Sequence, residues 1–295
     1  MFLVVDLLRT DQRELTLEQT QQDMKRALDY ISDDLREAVY VYSTPTALVT
    51  NLAATGSALP ADARPVLAFW KVKTLNDDSG DYTKLSTPGV ANSRCQGLSG
   101  DPLANCNALL IRHGYYELVI YYSTDDNTGN LWEGEARIKR YSLPEYSRAA
   151  LTEAGTALNR HDVFDATEPS PDFGAWVPNS AGTETANTDA LVDFVANLAG
   201  GNAPNCNAIA GADYIQVPTA AAAATQPSNS FYVCVRPRDI ANNTELYQDV
   251  IVYLQGNADP GDNSLTVRGV SDRTELPTLQ TQVAVRGVIN KNLDN

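Results

Sequence analysis

Residues 11–43 contain neither proline nor glycine, and within them Leu17, Met24, Leu28, Ile31, Leu35, Val39 and Tyr42 recur at the three-or-four spacing of one helix face. Glu18, Gln21, Gln22, Lys25, Arg26, Asp29, Asp33, Asp34 and Arg36 fill the opposite side, which reads as the solvent face. Thr44-Pro45 ends the run, because a residue before proline is pushed out of helical geometry. Were the helix to continue back through Leu3, its forty or so residues would span about 60 Å at 1.5 Å per residue, longer than a compact domain of this size is wide. Part of it is then expected to project.

After this helix the pattern changes to period two. "RPVLAFWKVKT" (64–74), "YYELVIYYS" (115–123), "EARIKRYSL" (135–143), "DYIQVP" (213–218), "SFYVCVR" (230–236), "YQDVIVYLQG" (247–256), "SLTVRGV" (264–270) and "QTQVAVRGVI" (280–289) read as strands. Polar turns such as "TDDNTGN" (124–130) and "NADPGDN" (257–263) separate neighbours, as in antiparallel hairpins. No regular alternation of strand and helix appears, which argues against a parallel α/β fold. The basic residues of "KVK" (71–73) and "RIKR" (137–140) alternate with apolar ones and read as the wet side of strands. Residues 46–63, with Gly56 and Pro60, read as a loop. Residues 145–229 are rich in Ala, Asn, Pro and Thr and read as a large loop-rich insertion; within it "NTDALVDFVANLAGG" (187–201) reads as a short helix with Thr188 as N-cap and Leu191, Phe194, Val195 and Leu198 on one face.

A chain of 295 residues with 43% apolar side chains can bury a core, which excludes global disorder. Its 37 acidic and 22 basic side chains give a formal charge of −15, so a nucleic-acid partner is not expected. Cys95, Cys106, Cys206 and Cys234 form no C-x-x-C pair and neighbour no histidine, which argues against zinc or thioredoxin-type chemistry. An even count in loop-rich surroundings fits disulfides in an oxidising compartment. Three connectivities exist, of which Cys95 with Cys106 and Cys206 with Cys234 is the expected one; buried free thiols are the alternative. "FLVVDLL" (2–8) is far shorter than the roughly 20 residues of a membrane span.

Catalytic signals are sparse. His113 and His161 neighbour no acid or nucleophile at a catalytic spacing, and no G-x-S-x-G, P-loop, H-E-x-x-H or dinucleotide fingerprint occurs. Neither enzymatic activity nor a cofactor is expected. Among the acidic turns, Asp77, Asp78 and Asp81 are weak calcium candidates without the helix-loop-helix spacing. The pairs Asp33-Asp34 and Asp125-Asp126 read as solvated acids rather than a glycosidase dyad. The tyrosine-rich "YYELVIYY" (115–122) fits either strand packing or a polysaccharide-binding surface.

The helix pattern Gln22, Ala27, Leu28, Ile31, Asp34, Leu35, Ala38 resembles that of minor pseudopilins of the J type, in type II secretion systems and their type IV pilus relatives. "TQVAVRGVINKN" (281–292) resembles the family's closing strand, and "PVLAFWKVK" (65–73), with the length and the inserted middle, is closest to the cyanobacterial pseudopilins of hormogonium polysaccharide secretion. This resemblance implies an α+β, pilin-like fold: a spine helix over 1–43 packed on the antiparallel sheet of a β-rich head over 44–295, with its insertion at 145–229. It implies a non-enzymatic subunit that primes or caps a periplasmic filament, with other pilin-like subunits and the inner membrane as partners, and polysaccharide among the things moved. Phe2, Leu3, Val5, Leu8 and Leu15 would pack against sister subunits. Leu17, Met24, Leu28, Ile31, Leu35 and Val39 would pack on the sheet. The family's basic leader, Gly-Phe-type peptidase site, early glutamate and long apolar segment do not stand in the chain, so prepilin processing and methylation are carried to no residue; "FLVVDLL" resembles the last two turns of that apolar segment, and a membrane-reaching stretch upstream is expected. The alternative is a secreted carbohydrate-binding or adhesive β domain.

Overall fold

The computed structural model describes residues 2–75, 95, 99–147, 151, 160–164, 173–179, 187–196, 205–219, 230–237, 248–257 and 278–285. Helix α1 spans Phe2–Arg36. It hands over at once to strand β1 (Ala38–Val41), which is followed by α2 (Thr46–Ala53) and β2 (Arg64–Thr74). Then come α3 (Asp101–Arg112), β3 (Gly114–Thr124), β4 (Ala136–Pro144) and β5 (Asn187–Val195). The last part comprises the short helix α4 (Cys206–Ile209) and strands β6 (Ile215–Val217), β7 (Phe231–Arg236), β8 (Asp249–Leu254) and β9 (Leu279–Ala284).

Strands β1 to β5 form one antiparallel sheet in chain order, and β6 to β9 form a second. Alternation along each strand sorts the side chains into layers. On the first sheet, Leu67, Phe69, Val119, Tyr121 and Ile138 face one way, while Ala68, Trp70, Leu118, Ile120 and Tyr122 face the other. On the second, Phe231, Val233, Val235, Val250, Val252 and Leu254 turn inward, and Tyr232, Cys234 and Tyr253 turn outward. The two inner faces share a single core with Met24, Ala27, Leu28, Ile31 and Leu35 of α1. The far face of the first sheet is closed by an aromatic layer in which Phe164, Phe173 and Trp176 pack around Trp70.

The expected α+β, pilin-like plan of one long helix lying on one sheet is corrected by this arrangement. Among the described residues the chain is mostly antiparallel β, nine strands in two sheets. No long helix is packed along a sheet: the buried stretch of α1 is short, from Thr20 to Leu35, and it touches β2 and β5 of one sheet and β8 and β9 of the other. The physical reason lies in the strands after residue 214, whose alternating valines make a second apolar face that has to be covered.

Three local expectations are corrected with it. The helix does not run to residue 43; "AVYV" pairs as β1 with β2, and the outward-pointing backbone of Val41 is capped by Gln248, whose Oε1 accepts from the Val41 N–H at 2.8 Å while its Nε2 donates to the Val41 carbonyl at 2.7 Å. One buried amide thus replaces a missing neighbour strand and ties the edge of the first sheet to the second, where Val285 N–H donates to the Gln248 carbonyl at 2.8 Å. The stretch 187–195 is strand β5 rather than a helix, with Thr188 opposite Tyr141 and Val192 opposite Ile138; sheet pairing overrides its local helical pattern. The expected loop 46–63 opens with α2, which begins straight after Pro45 and buries Leu48 and Leu52. Of the expected strands, residues 264–270 lie outside the described residues.

Both disulfides pair sequentially, Cys95 with Cys106 and Cys206 with Cys234. The first fastens α3, which starts with Pro102 in its first turn, to the segment before it; the second fastens α4 to the outer face of β7. Closing loops of these lengths contributes about 3 kcal/mol each in the chain-entropy account.

Candidate functional site

The side chains that would do work in assembly are those of α1, and the structure places them in two groups. Met24, Leu28, Ile31 and Leu35 are buried as the periodicity predicts, with half-buried Leu17 against the same core. Val39 is the exception: it belongs to β1 and packs with the aromatic layer on the other face of the first sheet. Leu15 is 66% exposed. Phe2, Leu3, Val5 and Leu8 fall within the span of α1, with side chains outside the described residues. Among the described residues no helix is long and apolar enough to cross a membrane.

At its C-terminal end the helix is seated by charge. Asp34 is only 8% exposed and each of its oxygens is used: Oδ1 accepts from Lys71 Nζ at 2.7 Å, and Oδ2 accepts from Arg140 Nε at 2.8 Å and from the Tyr121 hydroxyl at 2.6 Å. Behind them buried Glu117 lies 3.8 Å from Lys71 and 3.6 Å from Arg140, and Glu37 adds a bond from Lys71 at 3.2 Å. Residues from α1, β2, β3 and β4 therefore meet in one alternating cluster of carboxylates and cations. Burial alone would raise the Asp34 pKa, but the Arg140 charge and the hydrogen bonds from Lys71, Tyr121 and Arg140 outweigh it and hold the group below its ordinary 3.8. The converse holds for Lys71, where burial works to lower the pKa and the bond and charge of Asp34, with Glu117, raise it above 10.5. Tyr121 is pushed up by burial and by Asp34, so it stays a donor.

This cluster corrects two sequence readings. Lys71 of "KVK" and Arg137 of "RIKR" are buried and Arg140 is half-buried, so these basic stripes face inward in part. The Asp33-Asp34 pair splits: Asp33 is exposed and pairs with Arg36 one turn on, while Asp34 enters the core. What hid the cluster is that a polar side of a helix and a polar side of a strand each look solvated when read alone.

The remaining candidates are spent on structure. Asp125 pairs with Arg64 at 2.7 Å, and the Asp126 carboxylate accepts from the Thr128 backbone at 3.1 Å. His113 ends α3 in the left-handed region at φ 54°. Buried Glu145 accepts from Arg160 at 2.6 and 2.8 Å and from the Tyr116 N–H at 3.1 Å. Tyr115, Tyr121 and Tyr122 of the tyrosine run are buried, which removes the basis for a sugar-binding surface along it. Asp77, Asp78 and Asp81 lie outside the described residues. No group of three or more metal-ligating side chains stands among the described residues.

Comparison of the chain with protein-family models, with curated proteins and with solved structures finds no match.

Proposed function

We propose that the chain is a non-enzymatic minor pseudopilin, a subunit that primes or caps a short periplasmic filament used in secretion, of polysaccharide among other cargoes. Support comes from the helix and not from the head, whose two-sheet plan departs from the expected one. The observation that carries the reading is that Ala27, Leu28, Ile31, Asp34, Leu35 and Ala38 of the family-like pattern are buried, while its Gln22 and, further upstream, Leu15 are exposed. On this reading Ala27 to Leu35 hold α1 to its own head, with Ala38 following in β1, and the earlier turns serve sister subunits. Burying four apolar side chains between subunits would contribute several kcal/mol at about 1.5–3 kcal/mol each. Two disulfides fit the oxidising compartment where such a head would reside.

The test is co-purification of the full-length protein with the pilin-like products of neighbouring genes. Changing Leu3, Val5 and Leu8 together to Asp is expected to abolish association while the head keeps its thermal transition. Association that survives the triple change overturns the proposal.

A further inference from the structure

The loop between β3 and β4 carries an apolar pair on a foundation that is costly to build. Of the three tryptophans, Trp70 and Trp176 are buried in the aromatic layer, whereas Trp132 is half-buried at the loop tip beside Leu131, which is 78% exposed. The tip does not flop. Asn127 brackets it, its Nδ2 donating to the Trp132 carbonyl at 2.8 Å and its Oδ1 accepting from the Trp132 N–H at 3.0 Å. The next two N–H groups, of Glu133 and Gly134, donate to Asp193 Oδ2 of β5 at 3.1 and 2.9 Å.

Beneath the indole lies Arg137, with no exposed surface and its guanidinium carbon 5.4 Å from the ring centroid. It reaches Asp193 Oδ1 at 3.4 Å and the Gly134 carbonyl at 3.2 Å, and its Nη1 makes no hydrogen bond among the described residues. A buried cation so thinly paired is expensive, and a cation–π contact in a desolvated site is one of the few things that offset it. The backbone is strained to match. Phe194 sits at φ 59°, a conformation side chains rarely adopt, and a Cβ on Gly134 would overlap the Phe194 backbone nitrogen. Fold stability does not require an exposed leucine beside a half-buried indole to be held this firmly, whereas recognition does, because a preorganised aromatic anchor loses little entropy on binding.

The charge around the tip selects the occupant. Glu133 and Glu135 flank it with exposed carboxylates on a chain of net charge −15. We infer that the Leu131–Trp132 tip is a docking point for a basic, apolar-studded peptide segment of a partner protein, its apolar side chain lying on the leucine and indole and its cations meeting Glu133 and Glu135. This does not rest on the pseudopilin reading, since the tip is remote in sequence from α1 and a secreted adhesive domain would use it equally.

Trp70 and Trp176 are buried out of a ligand's reach, so a change in indole emission on adding a ligand reports on Trp132. The chain is titrated with three synthetic decapeptides, alternating Lys/Leu, Lys/Ser and Glu/Leu, and with a chito-oligosaccharide. The Lys/Leu peptide is expected to shift the emission to the blue and to bind about tenfold or more tightly than the Lys/Ser peptide, with no shift from Glu/Leu. Leu131→Ser, at a site too exposed to affect folding, and the pair Glu133→Lys with Glu135→Lys are each expected to weaken Lys/Leu binding about fivefold or more. Equal binding of the two lysine peptides, indifference to Leu131→Ser, or tighter binding of the chito-oligosaccharide overturns the inference, the last in favour of a glycan.

Discussion

Against the first sheet α1 sets Asp34 into a cluster of Lys71, Tyr121, Arg140 and Glu117, whereas against the second, among the described residues, it offers apolar side chains and one hydroxyl contact, Ser32 Oγ with Thr281 Oγ1 at 3.2 Å. The two interfaces divide the labour. Apolar packing tolerates small slides and rotations, since it depends on area more than on direction. A carboxylate with three partners in fixed positions does not, so the charged seat sets where along the sheet the helix stops and which way it is turned. That matters for a helix meant to present its earlier turns to something else.

The charged seat depends most on Asp34. Asp34→Ala leaves Lys71 and Arg140 in a buried site without their shared acceptor and is expected to cost about 3–5 kcal/mol in urea unfolding. A loss below about 1 kcal/mol would mean that water reaches the cluster and the seat is not a buried one. Ile31→Ala, in the apolar part shared with the second sheet, is expected to cost about 3 kcal/mol without altering the pH dependence. Gln248→Leu, which strands the Val41 N–H and C=O at the edge of the first sheet, should cost about 2 kcal/mol; no loss would show that another group caps that edge.

Titration separates the interfaces more gently. Because Asp34 sits below 3.8 in the fold, its contribution is fully present above that value and is lost as the pH falls through the lower folded value. Lys71 is raised above 10.5, so its contribution is present below that and is lost only at higher pH. A plateau of stability between these limits, with an acid edge that shrinks in Asp34→Asn, is expected from thermal melts across pH. The smallest effect belongs to the exposed Arg26–Asp23 pair on the wet side of α1, where Asp23→Ala should change stability by no more than about 0.5 kcal/mol.

How far residues alone disclose this molecule follows the same division. The apolar stripe of α1 from Leu17 to Leu35 and the strands β2, β3, β4, β7 and β8 announce themselves by period, because burial of one face leaves a mark every 3.6 or every two residues. The end of α1 is ambiguous: "AVYVYS" alternates as a strand does, but Val39 and Tyr42 also continue the three-or-four spacing of the helix face. Strand β5 was not readable, since Leu191, Val192 and Val195 fit both periods and only pairing with β4 decides between them. The charged seat was the least legible part. Asp34, Lys71 and Arg140 come from three elements whose polar sides each pass for solvent-facing, and only the packing of α1 on the first sheet turns those sides toward one another. The loop 125–135 likewise reads as an ordinary acidic turn, and nothing local says that Arg137 is buried under Trp132.

From Met24 to Leu35, α1 is an integral part of the head, enclosed by both sheets and pinned at Asp34. Native-state hydrogen exchange of the intact chain measures it most directly. Amides of residues 24–35 are expected to exchange as slowly as those of β3 and β7, by the same global opening, and to lose that protection in Asp34→Ala before the strands do. Exchange of residues 24–35 at the rate of an isolated helix, while β3 and β7 remain protected, would contradict it.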